Sequence, residues 1–158
     1  MGMNAIELSS QIKSLGLSLP PAPKPLGVYK PFAISGNHLY VSGHGPVLNS
    51  SQLIKGKAGL DVDKDGAKKA ARQVGLTMLS TLVTYLDPGI PITKVVKVLG
   101  MINSTPDFNE HTYAVNGFSE LFAEVFGDES GIGARSAVGM MLPQNITAEV
   151  EAIFEIER

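Results

Sequence analysis

With 158 residues, 44% of them apolar and 18% charged, the chain has the composition of one folded domain with a sizeable core rather than of a disordered segment. A net charge of −2, few aromatic residues and no Trp give neither a general attraction to nucleic acid or anionic membrane nor a stacking platform for single strands. The absence of Cys excludes disulfides, thiolate metal sites and a Cys nucleophile.

The opening Met1-Gly2-Met3-Asn4 lacks the basic start and apolar core of a signal peptide, and no apolar stretch has the length of a bilayer span, so a cytoplasmic location is expected. Asn4 and Glu7 have capping-box spacing, Leu8, Ile12 and Leu15 then share a face, and Gly16 ends the run: a helix over 4–15. Pro20, Pro21, Pro23 and Pro25 form an extended connector. Residues 28–35 and 38–42 read as two strands joined by Gly36-Asn37, with Gly43-His44-Gly45-Pro46 stopping the second and a third strand expected near Leu53. Ala67, Ala70, Ala71, Val74, Met78, Leu82 and Leu86 recur at three- and four-residue steps, predicting a helix over 67–86. A β-branched strand over 95–102, a loop over 103–109 and a helix over 115–126 follow. Strands over 136–142 and 148–156 close the chain around Pro143-Gln144-Asn145 as a terminal hairpin. In the last strand Val150, Ala152, Phe154 and Ile156 alternate with a largely acidic set, so one face meets the helices and the other meets water or another subunit. The order is that of an α+β fold in one domain, 1–158, with helices on one sheet face and residues 1–19 as a helical extension.

Several motifs fail. Asp61, Asp63, Asp65 and Gly66 imitate the start of a calcium loop, but the twelfth position, where a bidentate Glu is needed, is Arg72. His38, His44 and His111 lack the close pairing of a zinc site, so no metal is expected. Gly43-His44-Gly45 is not a phosphate loop, and no Ser stands in a nucleophile elbow.

What remains is the C-terminal third. Gly133-Ala134-Arg135-Ser136-Ala137-Val138, then Leu142-Pro143, then Ala148-Glu149-Val150-Glu151-Ala152 resemble the signature of the Rid family (YjgF, endoribonuclease L-PSP) of reactive imine deaminases. Leu26-Gly27-Val28-Tyr29 resembles its substrate-loop tyrosine, Tyr40-Val41-Ser42-Gly43-His44 its V-S-G-Q strand end, and the stretch from Val115-Asn116 to Leu121-Phe122 its V-N helix. The likeness covers roughly 20–157. His44 stands where many relatives carry Gln, Ala137 where the best-known branch often has Cys, and 103–114 and 127–133 are longer than in compact members.

The resemblance implies a chorismate-mutase-like (ferredoxin-like) sheet with two long helices on one face, assembled as a homotrimer with sites at the subunit clefts. It implies hydrolysis of 2-imino or enamino acids such as 2-aminoacrylate to 2-keto acids and ammonia, with no cofactor. Arg135 would grip the substrate carboxylate, since a planar fork of donors matches a carboxylate in two parallel bonds. Glu149 would hold or deprotonate the attacking water, the terminal hairpin bringing it near Arg135's end of the sheet. Tyr29, Gly43, His44, Asn116 and Ala137 would shape the substrate site. Taken alone, Arg135 reads first as a surface or structural ion-pairing residue and Glu149 as one member of a solvated acidic row, while Tyr29 and Asn116 divide evenly between structural hydrogen bonding and substrate contact. The rival functions are an endoribonuclease or translation inhibitor, and a non-catalytic module binding a small carboxylate through Arg135.

Overall fold

The computed structural model describes residues 2–158; Met1, the start of the expected extension, lies outside the described residues. In chain order the elements are α1 (Ala5–Ser14), β1 (Phe32–Ser35), β2 (His38–His44), α2 (Lys64–Tyr85), β3 (Ile92–Asn103), α3 (His111–Phe126), α4 (Asp128–Gly131), β4 (Ala134–Met140) and β5 (Ala148–Ile156).

The local signals act as their chemistry requires. Asn4 Oδ1 accepts from the amides of Ile6 and Glu7 while Glu7 Oε2 accepts from Asn4 N at 2.8 Å, completing the capping box and satisfying donors that α1 would otherwise leave open. Leu8 and Ile12 are buried and join the main core, so the N-terminal helix packs on α2 and α3 rather than standing apart; Leu15, expected on the same face, stays 41% exposed. The acidic run before α2 serves as its cap, with Asp63 Oδ1 accepting from Gly66 N at 2.7 Å. That cap starts the helix at Lys64, three residues before its apolar periodicity begins. Gly36, at φ +58, makes the two-residue β1–β2 turn. Residues 28–30 are not strand, because Tyr29 N bonds back to Gly27 O in a tight turn. Near Leu53 there is a lone bridge to Val47, not a third strand.

The sheet order is β1-β2-β5-β3-β4. The expected terminal hairpin does not form. β5 runs antiparallel between β2 and β3, whereas β4 lies on the far side of β3, parallel to it. A strand, the α3 crossover and a parallel neighbour form one β-α-β unit, and β5 then returns to fill the slot between β2 and β3.

One sheet face is covered by α2 and α3 and buries Leu39, Val41, Val98, Val150, Ala152, Phe154 and Ile156. Phe122 of α3 stacks on Phe118 at 4.4 Å between ring centroids and reaches Phe154 of β5 at 5.8 Å, tying helix to sheet; each such pair adds about 0.5–1.5 kcal/mol beyond the area it buries. α2 and α3 approach closely because Gly75 leaves room for Leu121 and Gly117 lies against the Lys68 carbonyl. Two surface pairs, Lys68–Glu120 at 3.1 Å and a bidentate Arg72–Glu124, clamp the exposed side of the same contact.

Candidate active site

A β-bulge shapes the site. Val41 pairs with Ala152 and His44 with Val150, so Ser42 and Gly43 together oppose Glu151 alone. The extra residue reverses the in–out alternation of β2: Leu39 and Val41 point into the core, and so does His44, while Gly43 faces outward. Ser42 is fixed by its amide to Pro31 O and its hydroxyl to Lys30 O.

Glu149 lies beside this bulge on the sheet face opposite α2 and α3. A Cβ on Gly43 would come 3.0 Å from Glu149 Cδ and 3.2 Å from Oε2, so the glycine lets the carboxylate approach the strand more closely than a side chain there would. Burial pushes the Glu149 carboxyl above its ordinary range, and the charge of Glu151, two residues on along the same face, adds to the effect. Tyr29, Gly43, His44 and Glu149 line one pocket of about 170 Å³, together with Leu53, Gln144 and Ile146. Tyr29 is half-exposed, and its hydroxyl is 3.4 Å from the amide of Leu26.

His44 lines that pocket but turns its ring inward, 5% exposed. A carbonyl can only accept, so Nδ1–H donates to Ser42 O at 2.6 Å, and the bare Nε2 accepts from the Thr81 hydroxyl at 2.8 Å. Burial lowers its pKa against the opposing pull of the Ser42 carbonyl. Both ring nitrogens are occupied inside the protein, so this side chain holds the bulge to α2.

The remaining predicted residues form a second group. Arg135, on β4 opposite Val98, points to the helix side of the sheet. Nη1 donates to Ser119 Oγ at 2.9 Å, and Nη2 donates to Asn116 Oδ1 at 2.7 Å and to Thr112 O at 3.1 Å. Thr112, Asn116 and Ser119 follow the helical repeat, so one polar stripe of α3 receives the guanidinium. No carboxylate forms an ion pair with it among the described residues. Burial lowers its pKa and Glu120 raises it, but it stays a cation, with two of its five N–H donors free. Ala137 is partly buried on the same side, opposite Gly100.

Within one chain Arg135 and Glu149 are therefore not neighbours. They flank β3 on different sides, at the levels of Val98 and Met101, and face opposite sides of the sheet. The expected meeting failed because it required β4 and β5 to pair. Ser119 and Gln144 were missed. Ser119 could have been found three residues beyond Asn116 on α3. Gln144 and Asn145 both sit at φ +56, a left-handed pair that side-chain pattern does not announce. Among the described residues no three His, Cys, Asp or Glu stand close enough to hold a metal ion, and no helix is long and apolar enough to cross a membrane.

Comparison with known proteins agrees with this architecture. The family model described as "YjgF/chorismate mutase-like, putative endoribonuclease" matches residues 9–152. Protein TCP17 of Trypanosoma cruzi is 34% identical over 150 residues, covering 94% of each chain. RutC family protein PH0854 of Pyrococcus horikoshii is 31% identical over 135 residues, covering 84% of this chain and 90% of that one. The crystal structure of Atu1372 from Agrobacterium tumefaciens, a protein of unknown function, superposes with a TM-score of 0.84 at 38% identity over 97% of this chain and 94% of that one.

Proposed function

The chain belongs to the YjgF/chorismate mutase-like family, and from that premise we propose that it hydrolyses reactive 2-imino acids to 2-keto acids and ammonia. The observation that carries this reading is the Glu149 carboxylate, half-buried, open to a pocket, set against Gly43 and with its pKa pushed up by burial.

The imine carbon is already electrophilic, so the protein has to position rather than activate it. Water attacks the carbon of the protonated imine as Glu149 takes one of its protons, and the C=N electron pair moves to nitrogen, giving a neutral tetrahedral carbinolamine. Glu149 returns that proton to the nitrogen; as the C–N bond breaks and ammonia leaves, the hydroxyl oxygen's electron pair forms the carbonyl and the hydroxyl proton passes back to Glu149. The substrate carboxylate needs a cation. Arg135 has the charge and two free donors, but in its own chain it lies away from the pocket. The reading therefore takes Arg135 from a neighbouring copy in a homotrimer, with the site in the cleft between them. A charge-assisted bond of this kind is worth about 1.5–3 kcal/mol.

The test presents freshly generated 2-imino acid and follows its loss against keto acid and ammonia, formed one to one. Glu149→Gln and Arg135→Ala are each expected to lower kcat/KM at least about a hundredfold with the fold intact by circular dichroism. Carboxylate binding without rate acceleration would instead mark a binding module. RNA cleavage by nuclease-free protein that survives Arg135→Ala would mark the ribonuclease suggested by the family's description.

A further inference from the structure

The pocket of Glu149 has two unlike ends. Glu149 lies over Gly43, whereas two residues on, roughly 6–7 Å away at strand rise, Gly45 carries a different surface. A Cβ there would be 3.2 Å from Leu53 Cδ2 and 3.3 Å from Ile146 Cδ1, so these two side chains close directly over the Gly45 backbone. Val47 and Pro143 extend the same apolar wall.

This wall is fixed in place. Val47 N donates to Thr77 Oγ1 at 3.1 Å and Val47 O accepts from Gln73 Nε2 at 2.6 Å, both from α2. Leu53 is bridged to Val47, and Ile54 N bonds Pro46 O at 3.0 Å. Behind Ile146, the left-handed pair Gln144-Asn145 is held by Gly56 N to Asn145 O at 2.9 Å and by Asn103 Nδ2 to Asn145 Oδ1 at 2.9 Å. Asn103 is itself buried and accepts from Lys57 Nζ at 3.1 Å. Residues in sparsely populated backbone regions persist where their surroundings over-determine them, and such strain clusters at ligand-holding sites.

The volume of the pocket in one chain, which has to hold the carboxylate and imine as well as a side chain, bears on what the wall is for. A cavity of about 150 Å³ lined by aliphatic side chains accepts a benzene ring; this pocket measures about 170 Å³. The methyl or methylene group of a three-carbon imino acid is too short to cover both Leu53 and Ile146 while its imine carbon stays at Glu149.

We propose that the substrates of this site are 2-imino acids with bulky apolar side chains, branched aliphatic or aromatic, and that Leu53 and Ile146 seat the side chain while its imine carbon lies at Glu149. The proposal rests on the imine-hydrolase reading and narrows it to a substrate class.

The experiment compares the imines derived from leucine and alanine, with calorimetric binding of 4-methyl-2-oxopentanoate and pyruvate measured in parallel. The expected result is kcat/KM for the leucine-derived imine at least about tenfold above that for the alanine-derived one, with the keto acids binding in the same order. Leu53→Ala should cut that ratio several-fold. Hydrolysis of both imines with equal efficiency, or with the smaller favoured, overturns the side-chain assignment and leaves the hydrolase reading standing. Tighter binding of the larger keto acid with no hydrolysis of either imine overturns the hydrolase reading and supports the wall. Neither hydrolysis nor a binding preference overturns both.

Discussion

In the proposed hydrolysis Glu149 is the residue on which most depends, and its environment fixes the sign of a pH effect. Its carboxyl is raised first by burial and then by the charge of Glu151. Only the ionised form can take a proton from water, so kcat/KM should fall as pH drops through an apparent pKa above the ordinary glutamate value of about 4.3. Removing the negative charge in Glu151→Gln lessens the rise, and the acid limb should move to lower pH while the plateau changes little. Burial, the larger cause, remains, so the limb stays above the ordinary value. A limb that does not move in Glu151→Gln, or one still present in Glu149→Gln, would assign the titration to another group. The sequence could name Glu149 but not this environment, because Gly43 reaches it through a bulge. The same bulge explains His44. Strict alternation from Leu39 and Val41 would put Gly43 inward and His44 toward a ligand, and one inserted residue exchanges them.

At the scale of elements, signals carried by neighbouring residues were legible and those carried by pairing were not. The Asn4–Glu7 box, the Gly36-Asn37 turn and the β5 alternation all rest on contacts within a few residues, and each appears where the pattern places it. α3 begins one turn before its apolar periodicity because its first turn is polar, and the stripe that includes Thr112 serves Arg135. Nothing local says that β5 will pass β4 and insert between β2 and β3, so the expected hairpin went with the shortest connection. The glycines between the long helices were also read without their partners. On an exposed helix Gly→Ala gains about 0.5–1 kcal/mol, but a Cβ at Gly117 would overlap the Lys68 carbonyl oxygen and lie 3.0 Å from Arg72 N. Backbone of α2 cannot step aside as a side chain would. Gly117→Ala should therefore cost at least about 2 kcal/mol, read as a lower urea midpoint with an unchanged slope. A neutral or stabilising result would mean that the two helices can separate without loss.

For the whole molecule, the proposed mechanism needs Arg135 and Glu149, apart within one chain, to meet between copies. Arg135 lies on β4, the edge of the sheet, where no further strand covers it among the described residues. The face opposite the helices exposes Val138 and Met140 on that edge strand and Tyr40 farther across the sheet on β2. The Glu149 pocket opens on that same face, since Glu149 and Glu151 share it. A second copy docked along this face and edge could bring its Arg135 to the first copy's Glu149, which the chain cannot do for itself. Symmetry turns this into a number. If each site takes Arg135 from one subunit and Glu149 from the next, Arg135→Ala and Glu149→Gln chains, each inactive alone, will rebuild intact sites when mixed. In trimers assembled at random from equal amounts, about a quarter of the sites receive both native residues. Co-refolded variants should then recover about a quarter of the native activity, and the separately refolded variants, mixed afterwards without subunit exchange, should recover none. Recovery absent in both preparations, with trimers confirmed by mass, would place Arg135 and Glu149 in separate roles and remove the shared site from the mechanism.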